Sequence, residues 1–192
     1  MATMTLADPL IEQLMAFDGK AEIVDGQIQE IMATGFDPGF AGDEIYASLR
    51  AHARSSGEGV AFADGKGFLC NLPHRRSFSP DAAFYTGPRS GMAFMPEPPV
   101  FAVEVRSEND YGPKAEREMA QKRADYFAAG TLVVWDVDLR GEEVVAKYSA
   151  TSPMNPQIFR RDEVADAQPA VTDWRLNVDD LFAPAPDSQT PN

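Results

Sequence analysis

Glu104 stands inside the apolar run Pro99-Val100-Phe101-Ala102-Val103-Glu104-Val105, and a Pro80-Asp81 step lies 23 residues upstream. An acid in a core strand is costly unless it is paired, protonated or bound to a metal. Side chains alternate along a strand, so Phe101, Val103 and Val105 share one face while Ala102, Glu104 and Arg106 share the other. If Asp81 lies on a neighbouring strand at the same level, two carboxylates converge, and hard oxygen ligands of that kind suit Mg²⁺ or Mn²⁺. A metal so held polarises a phosphoryl oxygen and lowers the pKa of its water, while a nearby cation stabilises the developing charge. The helix expected after the strand can bring that cation, because Glu118, Lys122 and Tyr126 fall at i, i+4 and i+8 on one stripe.

Each of these residues also has a plainer reading. Glu104 can pair with Arg106 on its own strand face, and Asp81 can be a strand-entry residue bonded to backbone. Lys122 has a helical partner in Glu118, four residues earlier in the favourable order. Tyr126 reads as core packing with its hydroxyl at the rim. His74-Arg75-Arg76 is either a phosphate contact or a solvated loop, and His52 and His74 lack metal-ligand spacing.

The elements that must position these groups follow from periodicity. Asp8 to Phe17 predicts an amphipathic helix, and Ala21 to Val24 with Gln27 to Ile31 predicts a hairpin about Asp25-Gly26. After a loop from Gly35 to Gly42, Asp43 is expected to cap a helix from Glu44 to about Arg54 with Ile45 and Leu49 inward. Val60 to Ala63 and Gly67 to Asn71 read as a second hairpin about Asp64-Gly65. Asp81 to Tyr85 is a short strand, Gly87 to Pro98 a loop, and Val100 to Arg106 a central strand. The longest helix spans about Tyr111 to Ala129 and stops at Gly130, before a second buried strand from Thr131 to Asp138. That strand–helix–strand order is a crossover and makes the two strands parallel neighbours. Further strands are expected over Glu142 to Ser149 and Gln157 to Arg160, joined by the linker Ser152 to Pro156, and Trp135 is expected in the core.

Composition bounds the class. A chain of 192 residues that is 44% hydrophobic can bury one good core, which predicts a single α/β or α+β domain over 1–182 and a disordered tail over 183–192, where three prolines fall. The lone cysteine, Cys70, excludes an internal disulfide framework and a cysteine-based zinc cluster, and fits a reducing cytoplasm. The N-terminal apolar residues are helically spaced and reach neither a signal peptide nor a membrane span. The net charge of −13 argues against a large basic groove. Residues 162–192 hold seven acids against Arg175 alone, whereas the segment from Arg106 to Arg123 is nearly balanced.

At these residues the chain resembles a known family. The order Ala21-Glu22-Ile23-Val24-Asp25-Gly26, Ser79-Pro80-Asp81, Val103-Glu104-Val105-Arg106-Ser107, Lys122 with Tyr126, Gly130 and Val134-Trp135-Asp136-Val137-Asp138 is similar to the Uma-type endonucleases of the PD-(D/E)XK restriction-endonuclease-like superfamily. The resemblance runs from Ala21 to Tyr148. It implies a mixed central sheet flanked by helices and a metal-dependent phosphodiesterase site. Asp81 would be the first ligand of Mg²⁺ or Mn²⁺ and Glu104 the second, with Glu44 as an additional acid on the preceding helix. The superfamily lysine two positions after the strand acid is here Arg106; in the Uma-type pattern the lysine has moved to the following helix, where Lys122 matches. An arginine stays protonated and cannot serve as a general base.

The function expected from this resemblance is hydrolysis of nucleic-acid phosphodiesters, with DNA as partner despite the acidic charge. Superfamily nucleases often dimerise so that two sites address two strands, and a homodimer belongs to what the resemblance implies. Two alternatives stand beside it: a nuclease-fold binding or regulatory protein without turnover, motivated by the −13 charge and Arg106, and a hydrolase of another phosphoester using the same ligands.

Overall fold

A computed structural model describes residues 8–184. Its first helix, α1 (Pro9–Met15), is capped by the Asp8 carboxylate, which accepts from the Leu10 amide at 3.0 Å. The strands β1 (Lys20–Val24) and β2 (Gln27–Ile31) form a separate two-stranded antiparallel sheet in which Val24 faces Gln27. Asp25 and Gly26 both take positive φ, the conformation a two-residue turn of matching twist requires.

The helix α2 (Phe36–Ser56) starts well before the expected Asp43 cap. Pro38 sits in its first turn, where a missing N–H costs nothing, so Pro38, Gly39 and Gly42 imitate a loop without making one. Ile45 and Leu49 face inward as expected.

The hairpin expected about Asp64-Gly65 does not form. The strand β3 (Val60–Ala63) pairs instead with β6 (Ala82–Tyr85), and β4 (Phe68–Leu69) pairs with β5 (Ser77–Phe78). Short apolar runs announce a strand but not its partner.

The remaining elements are β7 (Phe101–Val105), α3 (Pro113–Ala129), β8 (Val133–Val137), β9 (Val145–Ser149), β10 (Ser152–Phe159), β11 (Val164–Asp166) and β12 (Arg175–Asn177). Six strands make the central sheet in the order β10-β9-β8-β7-β6-β3, in which β7 and β8 are parallel and the other pairs antiparallel. The crossover through α3 is therefore present, and Gly130 closes that helix at φ 112. The expected linker from Ser152 to Pro156 is part of β10. As the outermost strand, β10 leaves its proline positions free of ladder donors.

Period-2 alternation gives the sheet two different faces. Phe101, Val103, Val105, Val133 and Trp135 pack against Ile45 and Leu49 of α2 and against Trp174 and Leu176 from the C-terminal segment. Ala83, Ala102 and Val134 face the other way, onto Phe78 and Tyr126, whose rings stack at 4.1 Å. A third cluster of Ile11, Leu14, Ile23 and Leu69 seats α1 and the hairpin. Of the expected tail, residues 185–192 lie outside the described residues. Among the described residues no helix is long and apolar enough to cross a membrane.

Candidate active site

The β6–β7 ladder pairs residues as far as Ala82–Val103, so Asp81, just before β6, and Glu104, the next residue along β7, lie at the same end of it. Asp81 Oδ2 accepts from the Val105 amide at 2.8 Å, and its own amide donates to the Val103 carbonyl at 3.0 Å. The backbone thus holds this side chain, as its strand-entry reading expects. Its other oxygen, Oδ1, accepts from Lys20 Nζ at 2.8 Å. Both acids line a cleft of about 500 Å³ between the hairpin, the central sheet and α3.

Glu104 is held from α3. Lys122 Nζ donates to Glu104 Oε2 at 2.8 Å and the Tyr126 hydroxyl to Oε1 at 2.7 Å. The stripe Glu118, Lys122, Tyr126 therefore delivers two of its members, while Glu118 pairs with Lys114 rather than Lys122. Tyr126 is fully buried, so its hydroxyl is no rim group.

Arg106 does not touch this pair. Its guanidinium bonds Asp136 Oδ1 at 2.8 Å and Oδ2 at 3.0 Å and also grips Glu116. Asp136 is the register partner of Glu104 on β8 and also receives Arg123 at 2.8 Å. Glu104 is consequently held by a lysine and a tyrosine, and not by Arg106 as its plainer reading has it. Glu44 is not among the cleft-lining residues either. It lies in the third turn of α2, whose first-turn acid is Asp37. What α2 does bring to the site is Gly42, where an added Cβ would sit 3.8 Å from Asp81 Cβ.

The hairpin contributes a group that the sequence reading did not single out. Glu22 Oε1 lies 3.0 Å from Lys122 Nζ and accepts from the Ser79 amide at 2.8 Å, and Oε2 accepts from Arg75 Nη1 at 2.6 Å. Glu22 thereby connects α3, the Ser79-Pro80-Asp81 step and the buried Arg75, whose Nε reaches Asp125 Oδ2 at 2.8 Å. Arg75 is 6% exposed, so the middle of His74-Arg75-Arg76 is no solvated loop cation. His74 lies 2.7 Å from Asp125, and Arg76 3.0 Å from Asp8.

A family model, Uma2, described as "Putative restriction endonuclease", matches residues 10–179. The chain belongs to the Uma2 family. Among solved structures it is similar to one described as "a putative nuclease belonging to DUF820" from Anabaena variabilis. The two share 16% identity and a TM-score of 0.69, over 91% of this chain and 98% of that one. At that identity the likeness establishes a shared fold. No curated protein matches the chain.

The electrostatics of this Uma2 cleft follow from its inventory. Glu22, Asp64, Asp81 and Glu104 stand around two ammonium groups, Lys20 and Lys122, with Arg75 shared between Glu22 and Asp125. Burial pushes Glu104 up to about 7; Lys122 opposes that shift, and the charges of Asp81 and Glu22 add to it. For Lys122 burial alone would lower the pKa, but Glu104 and Glu22 outweigh it and hold the ammonium above the ordinary lysine value. Glu22 shifts the other way: burial is overcome by Lys122 and Arg75, and its carboxyl titrates below the usual range.

The Uma2 donor set fits a hard divalent ion. Asp81 and Glu104 both line the cleft, and carboxylate oxygens are the hard ligands that such an ion takes. Among the described residues no three His, Cys, Asp or Glu side chains form a complete ligand set. An ion held by these two carboxylates would fill its shell with water and substrate oxygens, as Mg²⁺ ordinarily does.

A sequence signal for the hairpin's part in the Uma2 site does exist. Lys20, Glu22 and Val24 alternate with Ala21 and the fully buried Ile23, which puts two opposite charges on one face of a strand whose other face is core.

Proposed function

We propose that this protein is a metal-dependent endonuclease whose Mg²⁺ or Mn²⁺ is held by Asp81 and Glu104 and whose substrate is a nucleic-acid phosphodiester. The observation that carries this reading is that Asp81, fixed by the Val105 amide, lines the same cleft as Glu104, which Lys122 bonds. Membership of a family described as "Putative restriction endonuclease" supports the same substrate class. A divalent ion in such a site supplies Lewis acidity towards a phosphoryl oxygen and a water of lowered pKa.

The chain's own groups have separable tasks in this reading. Lys122, kept protonated by Glu104 and Glu22, is no base. It holds Glu104 in place with one N–H and Glu22 with another, leaving the third for a phosphate oxygen entering the cleft. Tyr126 fixes the second Glu104 oxygen. Arg106, clamped by Asp136 and Glu116, supports the strand end instead of meeting substrate.

The test is nicking of supercoiled plasmid by purified protein with Mn²⁺. Activity lost in both Asp81→Ala and Glu104→Ala is the expected result. Nicking that survives both substitutions equally, or none at all from the parent protein, overturns the proposal.

A further inference from the structure

Lys20 has no part in the reaction described above, yet its position on Asp81 is specific. Asp81 Oδ2 is engaged by the Val105 amide, and Lys20 Nζ lies 2.8 Å from Oδ1, the oxygen that the backbone leaves open. The same ammonium is 2.6 Å from Asp64 Oδ1, in the turn after β3. The Asp81 side chain is 22% exposed and that of Asp64 47%, so one partner lies towards the cleft interior and the other towards solvent.

We propose that Lys20 is a tethered counter-ion of the cation site: it neutralises Asp81 while the site lacks a divalent ion, and withdraws onto Asp64 when one takes that oxygen. The inference rests on the reading of Asp81 and Glu104 as metal ligands. Three observations support it. Without Lys20, the carboxylates of Asp64 and Asp81 would crowd the cleft beside Glu104 without a cation of their own, an arrangement that self-repulsion disfavours. A lysine is a point charge on a flexible stem with three donors, so it can leave one carboxylate for another without backbone movement. Asp64 is already within bonding distance, so the withdrawn ammonium keeps a partner.

Lys20 therefore weakens metal binding, because an ammonium must leave Asp81 before a divalent ion can use Oδ1. Asp64 has the reverse effect, because it offers that ammonium somewhere to go. The two residues should be coupled, which a double-mutant cycle measures.

The experiment is calorimetric titration of the full chain with Mn²⁺ and Mg²⁺, with circular dichroism reporting that each variant is folded. Lys20→Met, and Lys20→Gln as a second variant, should bind Mn²⁺ on the order of tenfold more tightly. Asp64→Asn should bind more weakly in the parent and lose most of that effect when combined with Lys20→Met. Lys66→Met removes a positive charge from the same turn, where Lys66 Nζ reaches only the Asp64 carbonyl at 3.2 Å, and should leave affinity unchanged. Unchanged or weaker binding in both Lys20 variants overturns the inference, as does equal tightening by Lys66→Met, which would reflect net charge alone. Asp81→Asn separates the two levels. If it abolishes Mn²⁺ binding and the Lys20 variants do not tighten it, the counter-ion role alone fails; if it binds like the parent, the metal reading fails and the counter-ion role with it.

Discussion

Arg75 Nη1 lies 2.6 Å from Glu22 Oε2, and both residues are buried. Arg75 also reaches Asp125 of α3 and lies over the Phe78 ring at 5.2 Å, so one guanidinium joins the hairpin to the helix behind the cleft. Removing one member of a buried ion pair strands the other charge. Arg75→Met should therefore cost about 3–5 kcal/mol in urea unfolding. Arg75→Lys should recover little, because a point charge does not reproduce a planar fork that serves two carboxylates. A loss below about 1 kcal/mol, as for exposed pairs, would mean that the pair is not load-carrying.

Stability should fall as pH rises through the neutral range. The Glu104 carboxyl titrates near 7 in the fold against an ordinary value of 4.5, so the folded state holds this proton more tightly than the unfolded chain does. Its contribution is full below about 4.5 and gone above about 7, and amounts to at most about 3 kcal/mol. Glu22 and Asp125, shifted below their usual range, act oppositely: their contribution is present above the ordinary carboxylate pKa and is lost on acidification. Urea midpoints between pH 4.5 and 7.5 should decline in the parent protein and decline less in Glu104→Gln. Equal slopes would assign the effect elsewhere.

Metal affinity should carry the same proton. A ligand that must ionise before it binds makes affinity pH-dependent. Mn²⁺ binding should strengthen by up to about tenfold per pH unit below 7 and level off above it. A profile flat from pH 5.5 to 8 would remove Glu104 from the ligand set.

Arg106→Ala should behave as a structural lesion and not a catalytic one. The guanidinium contacts Asp136, which is 3% exposed, and Arg123 remains as a second partner for that acid. Stability should drop by about 1–3 kcal/mol while plasmid nicking per folded molecule stays within a few-fold of the parent. Nicking reduced as far as by Glu104→Ala would return Arg106 to the catalytic group.

Tyr126→Phe deletes only the hydroxyl on Glu104 Oε1 and keeps the ring stacked on Phe78. The expected cost is about 1–2 kcal/mol in stability, with nicking lowered less than by Glu104→Ala. Full activity would show that Lys122 alone positions the carboxylate.

The charged centre was legible where local periodicity and long-range register agree. Alternation in β7 separates Glu104 from Val103 and Val105, and the crossover through α3 brings Lys122 back over that face. Arg106 shares the alternation, but it lies just past the end of β7, and the sequence does not reveal that Asp136 waits on the neighbouring strand. The pairing of Glu22 with Arg75 was hidden for a related reason. A charged residue in a hairpin or a basic loop looks solvated until the partner that buries it is known, and these two bury each other across 53 residues of chain. The start of α2 was obscured by Pro38, Gly39 and Gly42: a proline breaks a helix interior but not a first turn, and glycine only weakens a helix that packing holds.

The hairpin of β1 and β2 is hydrogen-bonded as its own sheet, apart from the six-stranded one. The cleft is thus built across a seam. Glu104, Lys122 and Tyr126 come from one contiguous strand-and-helix unit, while Lys20 and Glu22 are carried to it from the far side. Displacement along the seam alters the spacing between Lys20 and Asp81 while leaving every ladder bond of the central sheet intact. The charge balance of the cleft is accordingly tied to how the hairpin docks, a contact made by the buried Glu22–Arg75 pair and the Ile23 cluster, which salt screens far less than it screens the cleft's attraction for a charged substrate.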